Sequence, residues 1–198
     1  ICDRPVPNGF LYRRAVPVHQ NVPFPTATAA RAIARGDLDM RACSGCGFVF
    51  SAAFDPRLLD YGPAYENSQD HSGAFVAHLN ELVERVVEAG CARTGTIVEV
   101  GCGKGQFLTR LCSHPKAGCS ARGFDPSYIG PEEALGGRVR FVPAFYGPDT
   151  TYPADAVLCR HVIEHIAEPL ELLRDVRAAL SNSAGAHVFF ETPCAEWI

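Results

Sequence analysis

A glycine-rich turn with an acid just ahead of it is the part of this sequence best suited to chemistry. The segment TIVEVGCGKGQFL (residues 96–108) runs from β-branched residues through Glu99 into three alternating glycines, Gly101, Gly103 and Gly105. A Walker phosphate loop is excluded, because Lys104 is followed by glycine and not by Ser or Thr. The dinucleotide fingerprint G-x-G-x-x-G also fails, since Gln106 takes its third glycine position and Glu99 would repel a pyrophosphate.

A ligand with positive charge removes this conflict with Glu99. S-adenosylmethionine carries an ammonium and a sulfonium, and a carboxylate at the end of a strand can position its cationic methionine portion. The glycines allow close approach of the backbone, and the helix that begins near Gly105 directs N–H groups towards the ligand's own carboxylate. The turn therefore predicts S-adenosylmethionine as the cofactor, with an acid that caps the next turn as the alternative for Glu99.

A second acid is expected to bind the ribose of such a ligand. It should end the following strand, about 20 residues further on. Asp125 ends the segment ARGFD and fits this position. The alternative is a turn-forming Asp ahead of Pro126.

Another polar group, in the segment CRHVIEHIAEP, follows the strand predicted at 155–160. Arg160 and His161 lie at the end of this strand, where a sheet of this type places its ligand crevice. Glu164 and His165 follow, and four-residue spacing predicts that the two histidines share a helical face. We expect one histidine to line the cofactor and the other to face the substrate. A zinc site is disfavoured because H-E-x-x-H is absent, and the alternative for His165 is packing within the helix.

The elements that position these residues alternate between strands and helices. Strands are predicted at 96–100, 121–125, 138–143, 155–160 and 186–192, and helices at 105–113, 168–180 and over an amphipathic segment, 71–90. Pro169 suits a first helical turn and Gly90 a helix end. Such alternation predicts an α/β fold with parallel strands.

The first 60 residues are rich in turn residues and are predicted to be irregular, with few exceptions. An Ala-rich helix is expected at 26–35, with Gly36 as its stop. Two short strands, 37–43 and 47–51, flank a pair of cysteines.

These cysteines form the half-site Cys43-x-x-Cys46, which is typical of a zinc knuckle. A structural zinc needs two more ligands, and Cys2 is one candidate. His19 is an internal candidate for the other. The alternatives are a remnant site without metal and a redox pair, although no thioredoxin-like context surrounds it.

Composition restricts the classes of function. The net charge of −4 disfavours binding to nucleic acid or to an anionic membrane. No apolar run is long enough for a transmembrane helix, and no secretory leader is visible. Nine cysteines scattered through predicted core elements indicate a reducing, cytoplasmic location, in which most act as small apolar residues.

Three segments in order, VEVGCGKGQFL, GFDPS and ADAVLCRHVIEHIAEP, resemble the class I S-adenosylmethionine-dependent methyltransferases over about residues 94–192. The resemblance implies a Rossmann-like sheet with strand order 3-2-1-4-5, whose usual C-terminal hairpin is expected to be missing. It also implies that the loop 144–146 borders the adenine. The candidate cofactor-binding residues are Glu99, Gly101, Cys102, Gly103, Gly105, Phe107, Asp125, Pro126, Phe145, Arg160 and His161.

The N-terminal segment RACSGCGFVFSAAFDP and the Tyr-rich linker after it resemble a subgroup with a small zinc-binding module, the C-methyltransferases of nucleotide-linked deoxysugars. This likeness implies a second C-x-x-C, of which Cys2 is the latter member and whose first member precedes Ile1. It also implies that His165 is the catalytic acid or base. Tyr65 and His71, in a linker that can close over the crevice, are further catalytic candidates; the alternative is an ordinary surface loop.

We therefore expect a zinc-binding module at 1–60, a linker or lid with a helix at 61–93, and a methyltransferase core at 94–198 that is incomplete at its C-terminus. The expected activity is methylation of a small molecule, such as a nucleotide-linked sugar at carbon. The rivals are a non-catalytic cofactor- and zinc-binding interaction module, and methylation of a macromolecule. The apolar strand 186–192 is expected to be an exposed edge that promotes self-association and leaves little activity.

Overall fold

A computed structural model of the chain describes residues 2, 4, 6, 9–19, 22–59, 65 and 71–194. The chain divides into two compact units, residues 1–66 and 67–198. Most of the predicted linker, residues 61–73, falls outside the described residues. Among the residues that are described, no helix is both long and apolar enough to cross a membrane.

The first unit contains a three-stranded antiparallel sheet in the order β1-β2-β3. Its strands are β1 (Leu11–Pro17), β2 (Arg35–Ala42) and β3 (Val49–Ser51). The two strands predicted beside the cysteine pair are thus confirmed as β2 and β3. The prediction of irregular structure was wrong for β1, whose arginine-containing sequence lacks a regular apolar alternation.

Helix α1 (Ala27–Arg31) is shorter than the helix predicted at 26–35. Thr26 caps it by accepting a hydrogen bond from the Ala29 N–H at 3.2 Å. Gly36 was predicted to stop this helix but lies in β2, where it pairs with Val16 of β1. The helix therefore ends earlier because the residues that follow it pair as strand β2. Local helix propensity does not predict this pairing.

The second unit contains a six-stranded sheet with the order β6-β7-β5-β4-β8-β9. The strands are β4 (Thr96–Val100), β5 (Ser120–Phe124), β6 (Glu133–Ala134), β7 (Val139–Val142), β8 (Ala156–Arg160) and β9 (His187–Glu191). All neighbours pair in parallel except β6 and β7. The prediction of an α/β fold with a mostly parallel sheet is therefore confirmed. Strand β9 forms one edge of the sheet as described, and its Val188 is 50% exposed.

Helices α2 (Gly73–Glu88), α3 (Gln106–Ser113) and α4 (Pro169–Ala179) match the three helices predicted for this part of the chain. They cover both faces of the sheet. Ile97 of β4 packs in the core that contains α2 and α3, whereas Val98 and Val100 pack in the core that contains α4. Burial on both faces explains why the strands read as nearly continuous apolar runs.

Most cysteines of the second unit contribute to these cores, as the sequence predicted. The buried ones are Cys91, Cys102, Cys112, Cys119 and Cys159. Burial raises the pKa of Cys159 to about 12 and also raises that of Cys102. These two thiols therefore stay neutral and act as small apolar side chains.

Candidate functional site

The glycine turn between β4 and α3 adopts a backbone conformation that favours glycine. Gly101, Gly103 and Gly105 have φ angles of 70°, 56° and 77°, in the left-handed region. A Cβ atom on Gly101 would collide with Val162, and one on Gly105 would collide with the Phe141 ring. Gly105 is also the N-cap of α3 and provides no side-chain cap, so the first N–H groups of the helix remain available at this turn.

Glu99 lies in β4, one of the two central strands of the sheet, just ahead of the turn, and is only 2% exposed. Burial raises the pKa of its carboxyl group to about 7, although the charge of Arg160 opposes this shift. Its Oε2 atom has no hydrogen-bond partner among the described residues. A buried carboxyl oxygen of this kind calls for a bound water or ligand.

Arg160 ends the neighbouring strand β8, and its side chain is only 9% exposed. Its Nε donates a hydrogen bond to Glu191 Oε2 at 2.7 Å, and its guanidinium lies 4.3 Å from the centre of the Phe107 ring. Its Nη2 atom is buried and finds no acceptor in the described part of the chain. The two adjacent strands β4 and β8 therefore each carry a buried, unsatisfied polar atom, one from an acid and one from a base.

Asp125 follows β5 and is 8% exposed. Its Oδ2 accepts a hydrogen bond from the Gly103 N–H at 2.8 Å. Its Oδ1 accepts from the Ser127 N–H at 2.8 Å and from the Ser127 hydroxyl at 2.6 Å. Asp125 thus links the glycine turn to the turn after β5 by hydrogen bonds. This is the turn-forming role that the sequence analysis gave as the alternative to ribose binding.

The prediction that His161 and His165 share a helical face was wrong. His161 has a φ of 52°, and residues Ile163–His165 form a single 3₁₀ turn instead of an α-helix. The His161 N–H donates to the Glu191 carbonyl at 2.8 Å, so the chain is still held to β9 at this point. His165 is exposed in the 3₁₀ turn.

The His161 ring lies between two carboxylates. Its Nδ1 is 3.7 Å from Glu164 Oε1 and its Nε2 is 3.6 Å from Glu191 Oε2. The proximity of Glu191 is the main reason why the pKa of His161 is raised. The protonated ring is therefore favoured at this end of the sheet.

Glu191 and His78 are site residues that the sequence analysis missed. Glu191 ends β9, and its Oε1 lies 2.8 Å from His78 Nε2 of helix α2. Burial alone would raise the pKa of Glu191, but His161, His78 and Arg160 together lower it to about 2. The position of Glu191 at a strand end, like that of Glu99, was an available signal, whereas nothing in the pattern of α2 distinguishes His78.

The other candidate cofactor residues differ in exposure. Cys102 and Phe107 are buried in the core, at 7% and 3% exposed, and Pro126 is half-buried. Phe145 follows β7 and is 67% exposed, so its ring is available to a ligand. Tyr146 packs edge-on against Phe124, and its buried hydroxyl has no partner among the residues described.

Of the two catalytic candidates in the linker, His71 is exposed, one residue before the Ser72 cap of α2. Tyr65 is the sole described residue between 60 and 70 and belongs to the first unit. The remainder of the predicted lid lies outside the described residues.

Three cysteines of the first unit meet at the turn between β2 and β3. The Sγ atoms of Cys2 and Cys43 are 3.4 Å apart, and those of Cys2, Cys43 and Cys46 all lie within 4.8 Å of one another. The backbone N–H groups of Cys46 and Gly45 lower the pKa of Cys43 to about 7. His19 is not a member of this cluster, within the part of the chain that the structure describes.

Comparison with known proteins identifies the family of the chain. A sequence model described as a methyltransferase domain matches residues 71–198, which is more than half of the chain. The chain therefore belongs to the methyltransferase domain family. The prediction of a methyltransferase is confirmed at the level of the family, and the match covers the second unit from just before α2 onward.

Solved structures with partial similarity include two methyltransferases. Coclaurine N-methyltransferase bound to N-methylheliamine and S-adenosylhomocysteine is 16% identical, with a TM-score of 0.46 over 70% of this chain and 41% of its own. CalO1, a methyltransferase of calicheamicin biosynthesis bound to S-adenosylhomocysteine, is 19% identical, with a TM-score of 0.32 over 69% of this chain and 46% of its own. The chain thus covers less than half of the length of either. No curated protein matches the chain.

Proposed function

We propose that the second unit binds S-adenosylmethionine at the carboxyl ends of β4, β5 and β8 and transfers its methyl group to a small molecule. The observation that carries this proposal is a pair of buried atoms on neighbouring strands, Glu99 Oε2 and Arg160 Nη2, for which the described residues offer no hydrogen-bond partner. A zwitterionic amino-acid group has an ammonium that can pair with Glu99 and a carboxylate that can pair with Arg160. Membership in the methyltransferase domain family supports the same cofactor.

The other contacts of the cofactor follow from the order of the strands. The uncapped start of α3 leaves backbone N–H groups for the methionine portion, whereas the N–H groups of Gly101, Gly103 and Gly105 are already bonded within the protein. Three of the about four acceptor sites of the Asp125 carboxylate are used by Gly103 and Ser127, which leaves one site on Oδ2 for a ribose hydroxyl. We assign the adenine contact to Phe145, and the exposure of its ring in the loop after β7 supports this assignment.

When bound, the cofactor supplies a methyl group already activated by a sulfonium. The protein is therefore left mainly with positioning, and with the removal of a proton if the acceptor carries one. For the acceptor we propose a carbon next to a carbonyl in a nucleotide-linked sugar, a proposal supported by the likeness of the cysteine segment to the sugar C-methyltransferases. His165, with Tyr65 and His71 as further candidates, is the residue that this likeness implies for the proton transfer.

Calorimetry with S-adenosylhomocysteine tests the cofactor site. The wild-type chain should bind one equivalent, and Asp125→Ala should weaken binding by roughly 1.5–3 kcal/mol, the range for a hydrogen bond to a charged group. Ser127→Ala is the matched control, because it removes one support of the Asp125 carboxylate but leaves the carboxylate in place. Equal affinity of wild type and Asp125→Ala would contradict the ribose assignment.

We propose in addition that Cys2, Cys43 and Cys46 hold a structural zinc ion, with a fourth ligand from outside this cluster. Three converging sulfurs, two of them from the turn between β2 and β3 and one from Cys2, suit a tetrahedral thiolate site, and the pKa of Cys43 is lowered. The metal would tie the β2–β3 turn to the start of the chain.

Metal analysis of freshly purified protein tests the zinc site. We expect one zinc per chain in the wild type and none after Cys43→Ser or Cys46→Ser. Cys194→Ser is the control, since this exposed cysteine is outside the cluster and its replacement should leave the zinc content unchanged. Zinc-free wild-type protein, or full zinc content in Cys43→Ser, would contradict the proposal.

A further inference from the structure

Glu191 is the meeting point of three basic side chains at the carboxyl edge of the second unit's sheet. In the parallel register of β8 and β9, Glu191 lies directly beside Arg160. Its Oε2 accepts from Arg160 Nε at 2.7 Å and lies 3.6 Å from His161 Nε2. Its Oε1 pairs with His78 Nε2 at 2.8 Å.

The contacts of Arg160 show what Glu191 does to it. One edge of the guanidinium is held by Glu191, and one face is held against the Phe107 ring at 4.3 Å. These two restraints fix both the direction and the plane of a group that is planar and rigid. The Nη2 atom is left over, buried and without an acceptor among the described residues.

We propose that Glu191 is a positioning residue, which holds Arg160 so that its Nη2 edge binds the carboxylate of the cofactor's amino-acid portion. This inference rests on the proposed function, because it concerns the same ligand. The arginine would be ordered before the ligand arrives, so that binding does not have to order a long side chain. A buried guanidinium also requires a compensating charge, which Glu191 supplies.

The second oxygen of Glu191 extends this arrangement to helix α2. Through His78 the same carboxylate links β8, β9 and α2 at the edge where the ligand would lie. The pKa of Glu191 is lowered to about 2, so the carboxylate keeps its charge throughout the pH range in which the protein is handled. Glu191 therefore holds Arg160 in the same way across that pH range.

Two ligands distinguish a positioning role from a merely structural one. S-adenosylhomocysteine contains the amino-acid portion, whereas 5′-methylthioadenosine lacks it but shares the adenosine. Calorimetry with both ligands on the whole chain should show that Glu191→Ala weakens binding of S-adenosylhomocysteine by about tenfold or more, as for a lost hydrogen bond to a charged group. Binding of 5′-methylthioadenosine should change by less than about twofold, since the adenosine contacts do not depend on Arg160.

Two further variants complete the test. Glu191→Gln keeps the size and one acceptor but loses the charge, so its affinity for S-adenosylhomocysteine should lie between those of the wild type and Glu191→Ala. It replaces the alanine variant in the test if that variant does not fold. Glu164→Gln is the matched control, because Glu164 also faces His161 but is not hydrogen-bonded to Arg160. It should bind both ligands like the wild type.

The outcomes separate the inference from the proposed function. Parallel losses for both ligands, or unchanged binding of S-adenosylhomocysteine in Glu191→Ala, would overturn the positioning role while leaving the cofactor site intact. Failure of the wild type to bind S-adenosylhomocysteine would overturn the proposed function itself, and the role of Glu191 with it.

Discussion

Glu99 places a carboxyl group almost entirely out of water beside the glycine turn. Its pKa is raised from the ordinary range of a glutamate to about 7, so its proton is held more tightly in the folded than in the unfolded chain. Folding stability contributed by this group is therefore present at low pH and is lost as pH rises towards about 7. A neutral isostere should escape this loss.

We predict that Glu99→Gln increases the free energy of unfolding at pH 8, by up to about 3 kcal/mol at one pKa unit per 1.36 kcal/mol. The gain should shrink as the pH falls to 5, where the native carboxyl is already protonated. Urea denaturation at the two pH values measures it. Glu133→Gln, at an exposed position on β6, should change stability by no more than about 0.5 kcal/mol and serves as the control. A Glu99→Gln variant less stable than wild type at pH 8 would contradict this reading.

Charged residues at or just after the end of a strand could be selected as site candidates from the sequence. Glu99 and Asp125 were selected in this way, because the ends of parallel strands meet at one edge. Glu191 follows the same rule but was read only as part of an apolar strand. Its importance comes from Arg160 and His78, which are far apart in sequence and reach it only in the fold.

At the scale of elements, the turn between β4 and α3 depends on Gly105 for two reasons. Its φ of 77° is in the left-handed region, and a Cβ atom there would collide with the Phe141 ring. Gly185, at a φ of 84°, has the same backbone requirement but open space around it. Substitutions at the two glycines therefore distinguish the free-energy cost of backbone strain from that of a collision with Phe141.

We predict that Gly185→Ala lowers the free energy of unfolding by about 1–2 kcal/mol, the cost of a left-handed alanine. Gly105→Ala should cost at least about 1 kcal/mol more, because the collision adds to the same strain. Thermal and urea unfolding of both variants measure the difference. Equal losses would mean that the Phe141 ring moves aside freely and that the turn tolerates a side chain.

The parallel strands and their helices were predictable because apolar runs and amphipathic stretches alternate regularly from residue 73 onward. Strand β1 was not predictable from the sequence. Its arginines interrupt the apolar pattern of a strand, and it forms because it pairs with β2. The 3₁₀ turn after β8 was missed as well. Its geometry follows from the left-handed His161, a conformation that helical spacing does not reveal.

For the whole molecule, the match to the methyltransferase domain family covers residues 71–198, within the second of the two compact units. The buried atoms of Glu99 and Arg160 that find no hydrogen-bond partner in the described part of the chain lie in that same unit. The cysteine cluster belongs to the other one. Cofactor binding and metal binding can therefore be tested independently of each other.

The pH dependence of S-adenosylhomocysteine binding tests the central claim most directly. Since the ammonium of the ligand requires the ionised form of Glu99, whose pKa is about 7, affinity should be about tenfold weaker at pH 6 than at pH 8. Calorimetry should find one site in the wild type, and weaker binding without this pH dependence in Glu99→Gln. Absence of binding in the wild type, or the same affinity and pH profile in both proteins, would contradict the account.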